Sequence, residues 1–467
     1  MGRLELNWAD HPLRAARAEI KARLGPPREV GRKRALGWSF GAILSLYLLD
    51  KVGVAALVAF FIAAAMLLGP LRQRAVLVVR NAIWLVIFPV LATFSIIWSD
   101  SPEQTARYSL QLWGTVICAL AVASRLSPRQ FIIVLFFASL AVCLASLGMP
   151  VHGIDGSLIG IMGSKNSLAT IAALLFVTAV EFIFDNQQRF ILRVLAPLAI
   201  ALATTILLLS HSAGAVMTVA STTGVFLFFG FLIFFRGRGL AFVLSITALT
   251  AILLAVVVTQ SHSDLIASVM RFFGKDGTLT GRTYLWGRAA EYISDQPVLG
   301  HGFSAFWRQG AVEAEGLWRY AGIDSRAGFN FHNSYIETGV DLGWVGVVLL
   351  VFVLVYVFWK GLMRAMFRQN VCGAFLFAIL VSMIIRSFGE TIFYRQMNYA
   401  SFIFIVVAAY ILRAPAVFGR ISRVRAVAAM DRFGVAEVYS DVTNSRTGRE
   451  LASGAPIVKI AGATLGA

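Results

Sequence analysis

Residues able to transfer a proton stand close together in one polar stretch, residues 260–342, which lies between two long apolar blocks. His332-Asn333 precedes Tyr335 and Glu337, so imidazole, amide, phenol and carboxylate groups fall within six residues. A neutral imidazole can take a proton from a hydroxyl near neutral pH. We predict that His332 is a general base and that Asn333, Tyr335 and Glu337 bind substrate. The alternative is that His332 caps the following helix or hydrogen-bonds a loop carbonyl.

A cation suited to a phosphate lies earlier in the same stretch. The segment Gly281-Arg282-x-x-x-Trp286 begins a predicted amphipathic helix. A guanidinium near the start of a helix can bind a phosphate jointly with free backbone N–H groups. We predict that Arg282 binds a phosphate and that Trp286 contacts the substrate. The alternative is an arginine at the membrane interface that contacts lipid headgroups.

The pattern Pro297-x-x-Gly300-x-Gly302 predicts a tight turn after that helix. A lone glycine pattern outside a strand–loop–helix setting does not indicate a dinucleotide site. We expect this turn to present Phe303, Phe306 and Trp307 to a sugar or a lipid.

Other polar groups stand at the ends of apolar segments. Each alone is explained by a helix cap or by a long side chain reaching the membrane surface. Together they predict a ring of cations and hydroxyls suited to a pyrophosphate and a sugar. The set is Lys165, Asn166, Ser210, Ser212, Arg386, Glu390 and Arg395.

The sequence offers no pattern for a divalent metal, since it has no carboxylate cluster, DxD or HExxH among these segments. Hard cations need several oxygen ligands. We therefore predict no metal and no cofactor, with phosphate held by arginine and lysine alone. The cysteines, Cys118, Cys143 and Cys372, lie in apolar runs without C-x-x-C spacing, which predicts small buried side chains.

Composition identifies the scaffold that must position these residues. Of 467 residues, 58% are hydrophobic and 14% are charged, whereas soluble domains carry roughly 25% charged residues. This predicts an all-α polytopic membrane protein. The net charge of +17 falls mostly in short tails and loops between apolar runs. There it sets topology and does not indicate nucleic-acid binding.

A bilayer core of about 30 Å requires about 20 apolar residues per helix, and twelve candidate spans satisfy this. Residues 36–69 fit either two spans or a re-entrant pair. The spans lie near residues 36–49, 52–69, 81–98, 108–124, 131–149, 167–184, 191–209, 213–235, 239–259, 343–359, 372–388 and 398–412.

Basic residues order these spans across the membrane. Every second connection is basic, as in Arg125/Arg129 and Arg189/Arg193, which places those connections in the cytoplasm. The predicted parts are a cytoplasmic basic tail (1–35), nine spans (36–259), a large outer loop (260–342), three spans (343–412) and a flexible cytoplasmic tail (413–467). All the polar motifs then collect on the outer face.

A non-enzymatic permease is the alternative from another class. A transporter would more often carry paired charges near the middle of its spans. This chain has few, and Glu181, near the inner end of a span, can snorkel to the surface.

The order of motifs resembles the O-antigen ligase/polymerase superfamily (Wzy-type), and two of them are most similar to ExoQ-like exopolysaccharide production proteins. The resemblance spans residues 36–412 and excludes both tails. The motifs are Trp98-Ser99-x-x-Pro102, Gly163-x-Lys165-Asn166, Ser210-x-Ser212, Gly281-Arg282-x-x-x-Trp286, Pro297-x-x-Gly300-x-Gly302 and His332-Asn333-x-Tyr335.

The resemblance implies a GT-C-like, metal-independent, inverting glycosyltransferase of the bacterial inner membrane. Its donor would be an oligosaccharide on undecaprenyl pyrophosphate, held by Arg282, with His332 as the loop histidine. The implied partners are this lipid-linked donor, membrane lipids, and polysaccharide export and chain-length proteins. Polymerases pass the donor chain to another lipid-linked repeat unit, whereas ligases pass it to lipid A-core, and both activities stay open.

One departure from the family pattern concerns charge. Many members have Ser-Arg or Ser-Lys at the second serine, whereas this chain has Ser212-Ala213. A second phosphate-binding cation must then come from elsewhere, with Lys165 or Arg395 as candidates.

Overall fold

The structure, a computed structural model, describes residues 29–69, 82–153, 155–232, 282–326, 328–368 and 370–413. Within these ranges the chain is helical apart from turns and one isolated β-bridge between His152 and Leu158. The helices are α1 (Glu29–Tyr47), α2 (Val54–Leu68), α3 (Ile83–Phe94), α4 (Pro102–Arg125), α5 (Pro128–Gly148), α6 (Lys165–Phe184), α7 (Phe190–Ser210), α8 (Ala213–Leu232), α9 (Arg282–Asp295), α10 (Val312–Ala321), α11 (Ser334–Arg368), α12 (Val371–Arg386) and α13 (Tyr399–Leu412).

Six of the described helices, α4 to α8 and α11, are long and apolar enough to cross a membrane. Helices α2, α3, α12 and α13 are apolar but shorter. The protein is therefore a helical, polytopic membrane protein, as its composition predicts. The predicted span at residues 239–259 lies outside the described residues, and twelve spans stay a prediction.

Local sequence signals explain where these helices begin. Ser127 and Gln130 form a capping box at the start of α5, because Ser127 Oγ accepts the Gln130 N–H while Gln130 Oε1 accepts the Ser127 N–H. Pro128 follows at the first helical position, where its missing N–H costs nothing. Asn398 caps α13 by accepting the N–H groups of Ala400 and Ser401.

The core of the membrane region lies along α6 and α13. Residues 401–412 of α13 are buried throughout, and α6 packs against α5, α7 and α8. A helix surrounded by protein on every side has no polar face, which is why α13 shows no sequence periodicity. Cys118, Cys143 and Cys372 are buried, as predicted.

The expectation that Glu181 snorkels to the membrane surface is wrong. Its side chain is fully buried near the end of α6, and its Oε2 accepts the Gln188 Nε2–H at 3.2 Å. The other oxygen, Oε1, is buried and has no hydrogen-bond partner among the described residues. Asp185, one turn further on, is itself paired with Arg129.

A break at Gly343 divides α11 into residues 334–342 and 344–368, since Gly343 has φ 61° and ψ −162°. The turn containing Pro297 packs against this break. Trp344 N–H donates to Pro297 O at 2.8 Å, and a Cβ on Gly343 would lie 2.4 Å from the Val298 backbone. Glycine is required because the two backbones touch. The predicted turn thus anchors the long loop to a membrane helix.

The expectation that this turn presents Phe303 and Phe306 to a sugar or a lipid is wrong. Phe303 is 4% exposed and Phe306 is 7% exposed, while Trp307 is half-buried. Phe303 joins the membrane core, whereas Phe306 belongs to a second hydrophobic cluster with Leu285 and Trp318. Aromatic side chains bury large apolar areas, so here they hold the loop segment together.

Candidate active site

His332 lies on the turn just before α11 and has a left-handed backbone conformation, with φ 52°. For a residue other than glycine this conformation costs on the order of 1–3 kcal/mol. The turn is held by the Asn330 side chain, whose Oδ1 accepts the His332 N–H at 2.8 Å and the Thr391 hydroxyl at 3.0 Å. The imidazole contacts the Phe329 ring edge-on. The turn is therefore fixed by two neighbours in sequence, Phe329 and Asn330, and by Thr391 from a distant segment.

The His332 side chain does not cap the following helix, contrary to one alternative raised by the sequence. Asn333 is the cap, because its Oδ1 accepts the N–H groups of Tyr335 and Ile336 at 2.9 and 3.1 Å. His332 Nδ1 is buried and has no hydrogen-bond partner among the described residues. The Nδ1 atom is thus not used in a hydrogen bond that holds the fold.

Glu390 lies between His332 and Arg282. Its Oε1 is 3.3 Å from Arg282 Nη2, and its Oε2 is 3.6 Å from His332 Nδ1, which is too long for a hydrogen bond but close enough for an ion pair. Burial alone would raise the pKa of Glu390. The nearby His332 imidazole and the positive charges of Arg282 and Arg386 outweigh burial and lower that pKa, so the carboxylate stays ionised.

Arg386, in the last turn of α12, faces the same cluster. Its Nη2 donates to Thr170 Oγ1 at 3.1 Å. Its Nε is buried and, within the described parts of the chain, has no acceptor. Because a buried N–H normally finds a partner, Arg386 retains a donor for an anion.

Arg395 forms a second ion pair behind the histidine. Its Nη1 lies 3.4 Å from Glu337 Oε1, and its Nη2 donates to Phe329 O. Glu337 is only 8% exposed and also accepts the N–H groups of Trp307 and Phe331. Both carboxylate oxygens of Glu337 are therefore engaged by groups of the protein itself.

Asn333 and Tyr335 also bind protein groups. Asn333 Nδ2 donates to Phe388 O, and the Tyr335 hydroxyl lies 3.1 Å from Ser387 Oγ. Both contacts join the start of α11 to the connection that follows α12. Trp286, predicted to contact substrate, donates its Nε1–H to Phe331 O at 2.8 Å.

A second polar cluster lies at the start of α6. Lys165 pairs with Asp155, and this bond, with others from Ser157, holds the pKa of Asp155 well below its usual range. Ser212 Oγ donates to Asn166 Oδ1 at 2.9 Å. Ser210 Oγ is buried and is unpartnered in the described ranges.

Thr170 joins the two clusters, because its hydroxyl donates to Asn166 O and accepts from Arg386. Thr170, Asn330 and Thr391 were missed by the sequence reasoning. Only Asn330 carried a signal, as a polar residue two positions before His332.

Both second-cation candidates suggested by the sequence already have carboxylate partners, Asp155 for Lys165 and Glu337 for Arg395. Arg386 instead lies near enough to Glu390 for its charge, like that of Arg282, to lower the pKa of that carboxyl. Over the described residues, no group of three His, Cys, Asp or Glu side chains is arranged to hold a metal ion. Metal independence stays a prediction.

Comparison of the sequence with known proteins shows the class to which this membrane protein belongs. Residues 198–351 match the family model described as Wzy_C, O-antigen ligase. The chain is also 32% identical over 329 residues to the exopolysaccharide production protein ExoQ of Rhizobium meliloti (strain 1021), covering 69% of this chain and 75% of that protein. The protein therefore belongs to this family, which confirms the resemblance noted from its motifs.

Proposed function

We propose that this protein is a membrane glycosyltransferase that polymerises lipid-linked oligosaccharide repeat units into an exopolysaccharide. Membership of a family that contains an exopolysaccharide production protein supports this class of product. The observation that carries the proposal is the cluster of His332, Arg282 and Arg386 around Glu390, since it combines a base with two guanidinium groups.

The reaction we propose is a displacement with inversion at the anomeric carbon of the donor. The acceptor hydroxyl attacks this carbon, a new C–O glycosidic bond forms, and the bond to undecaprenyl pyrophosphate breaks. Neutral His332 takes the hydroxyl proton as the bond forms. No metal ion takes part.

Glu390 would make His332 an effective base. With the Nδ1–H of the imidazole facing Glu390, the lone pair lies on Nε2, where it can accept the proton. The carboxylate would then stabilise the imidazolium that forms, by the logic of acid–histidine pairs in hydrolases. The separation of 3.6 Å would need to shorten by less than 1 Å for a direct hydrogen bond.

Arg282 and Arg386 would bind the leaving pyrophosphate. A guanidinium can contact two phosphate oxygens at once, and charge on the leaving group grows as the glycosidic bond breaks. In this proposal Glu390 pairs with Arg282 before the donor binds. The pyrophosphate of the donor, which carries more negative charge, then competes with Glu390 for Arg282. Many family members have a basic residue after the second serine, where this chain has Ala213. We assign the role of second phosphate-binding cation to Arg386, in preference to Lys165 and Arg395.

The topology we propose has both termini in the cytoplasm and the loop 260–342 at the outer face of the bacterial inner membrane. Twelve spans, chain-length partners and export partners belong to the same proposal. An outer active site agrees with the polarity of the described loop segments, which carry Arg282 and His332.

A reconstituted reaction tests the proposed function. The purified full chain is supplied with the lipid-linked oligosaccharide that accumulates when its gene is deleted. We expect a ladder of products that differ by one repeat unit. If the substrate is bound and released unchanged, the polymerase proposal is wrong.

A ligase is the second candidate, and the match of residues 198–351 to the O-antigen ligase family favours it. The same reaction with purified lipid A-core added distinguishes the two activities. A ligase gives one transfer to the core and no ladder without it, whereas a polymerase gives the ladder in both mixtures.

A further inference from the structure

The segment that carries His332 is held by a buried carboxylate one turn into α11. Glu337 Oε2 accepts the Phe331 N–H at 2.7 Å, and Oε1 accepts the Trp307 Nε1–H at 3.1 Å. Arg395 Nη1 lies 3.4 Å from the same Oε1. Three donors therefore converge on one side chain.

The same segment is also held from its carbonyl side. Trp286 Nε1–H donates to Phe331 O, and Arg395 Nη2–H donates to Phe329 O at 3.3 Å. The peptide groups on both sides of Phe331 are thus fixed by side chains from elsewhere in the fold. The next residue is His332, whose left-handed φ of 52° must be imposed by such contacts.

We propose that Glu337 is a positioning residue, which fixes the backbone before His332 and so directs the imidazole towards Glu390. Glu337 does not touch the substrate in this proposal. The inference rests on the proposed function, because it assumes that His332 accepts the proton. In this role the Glu337 carboxylate accepts hydrogen bonds from other groups of the protein, whereas the sequence predicted that it would bind substrate.

Glu337→Gln is a sharp test because glutamine has nearly the same shape but offers one oxygen and one NH2 group. Whichever way this amide turns, at least one of the three N–H donors faces another donor. An unpaired buried donor is unfavourable, so the Phe331–His332 backbone should shift. Displacement of a catalytic group by about 1 Å can lower a rate by about 10²-fold.

Two measurements on the purified full chain report this shift. The first is kcat and KM with the lipid-linked oligosaccharide from the deletion strain. The second is the rate at which diethyl pyrocarbonate modifies His332, located by peptide mass spectrometry, with His301 as an internal reference. We expect kcat to fall by about 10²-fold, KM to stay within about twofold, and His332, but not His301, to react faster.

Glu291→Gln is the matched control, since it removes the same charge from an exposed glutamate on α9. It should leave both measurements unchanged. Trp286→Phe is the second variant, because it deletes the donor to Phe331 O while keeping an aromatic ring. Trp286→Phe should change both measurements in the same direction as Glu337→Gln. If Glu337→Gln does not reach the membrane, Trp286→Phe tests whether the Phe331 peptide groups position His332.

Wild-type kcat in the folded variants would overturn the inference. So would a loss of kcat with unchanged modification of His332, because Glu337 would then act by another route. The proposed function fails separately, if His332→Gln itself keeps polymer yield. In that case the modification rates still report whether Glu337 fixes His332.

Discussion

Replacing His332 tests the proposed chemistry most directly. His332→Gln keeps a side chain that can hydrogen-bond but cannot accept the proton. Loss of a general base typically lowers a rate by about 10²–10⁴-fold, equivalent to about 2.7–5.4 kcal/mol of activation free energy. Stability should change far less, since the imidazole is 30% exposed and lacks a hydrogen bond to any described residue. We expect the free energy of unfolding to change by about 1 kcal/mol or less.

The backbone at this position supplies a necessary control. With φ 52°, the position favours asparagine over glutamine, because a short polar side chain tolerates the left-handed conformation. His332→Asn therefore removes the base while relieving the backbone cost that glutamine adds. Both variants should reach the membrane at wild-type levels.

The assay compares polymer yield and lipid-linked repeat units in cells, and then the rate of the purified variants. We expect both variants to make little polymer and to accumulate the repeat units. Near-normal polymer from His332→Asn would refute the reasoning. His332 would then matter only for backbone conformation, and Glu390, which lies 3.6 Å from it, would be the next candidate base.

Four further predictions follow from the site and the topology. Arg282→Ala should abolish polymer at normal membrane levels and Arg282→Lys should restore it only in part, since lysine binds phosphate as a point charge; near-normal polymer from the alanine variant would leave Arg282 as an interface anchor. Val312 is 81% exposed, so Val312→Cys in a background without cysteine should react with an impermeant maleimide in intact spheroplasts. Asn186→Cys in the same background should react only after the membrane is opened. The reverse pattern of labelling would show that the proposed topology is inverted. Activity of the purified protein should survive excess EDTA, and a loss that Mg²⁺ or Mn²⁺ restores would contradict metal independence. The pKa of Glu390 is lowered in the folded protein, so the ionised carboxylate contributes to stability above about pH 4.5, and this contribution is lost as the pH falls through the folded-state pKa. The difference in Tm between the wild type and Glu390→Gln should therefore become smaller as the pH falls below about 4.5. A difference in Tm that stays constant would argue against the ion pairs.

The sequence by itself determined the class of protein and most of the helices. Hydropathy is a local property, so apolar runs predicted the membrane helices that the described residues contain. Family motifs were also local, because each needs only a few adjacent residues. Arg282, His332 and Glu390 were selected by residue type and position, without any knowledge that they meet.

Tertiary structure alone decided which of the selected residues lie together. Arg282 and Glu390 are separated by 108 positions and Arg386 and Thr170 by 216, so no local pattern relates them. Glu337 and Asn333 carry the polar groups of substrate-binding residues, yet packing directs both of them to other groups of the protein. Phe303 and Phe306 are buried for a similar reason, since the loop segment needs its own apolar core. The type of a polar residue shows which groups its side chain can bind. Packing decides whether other groups of the protein already occupy that side chain.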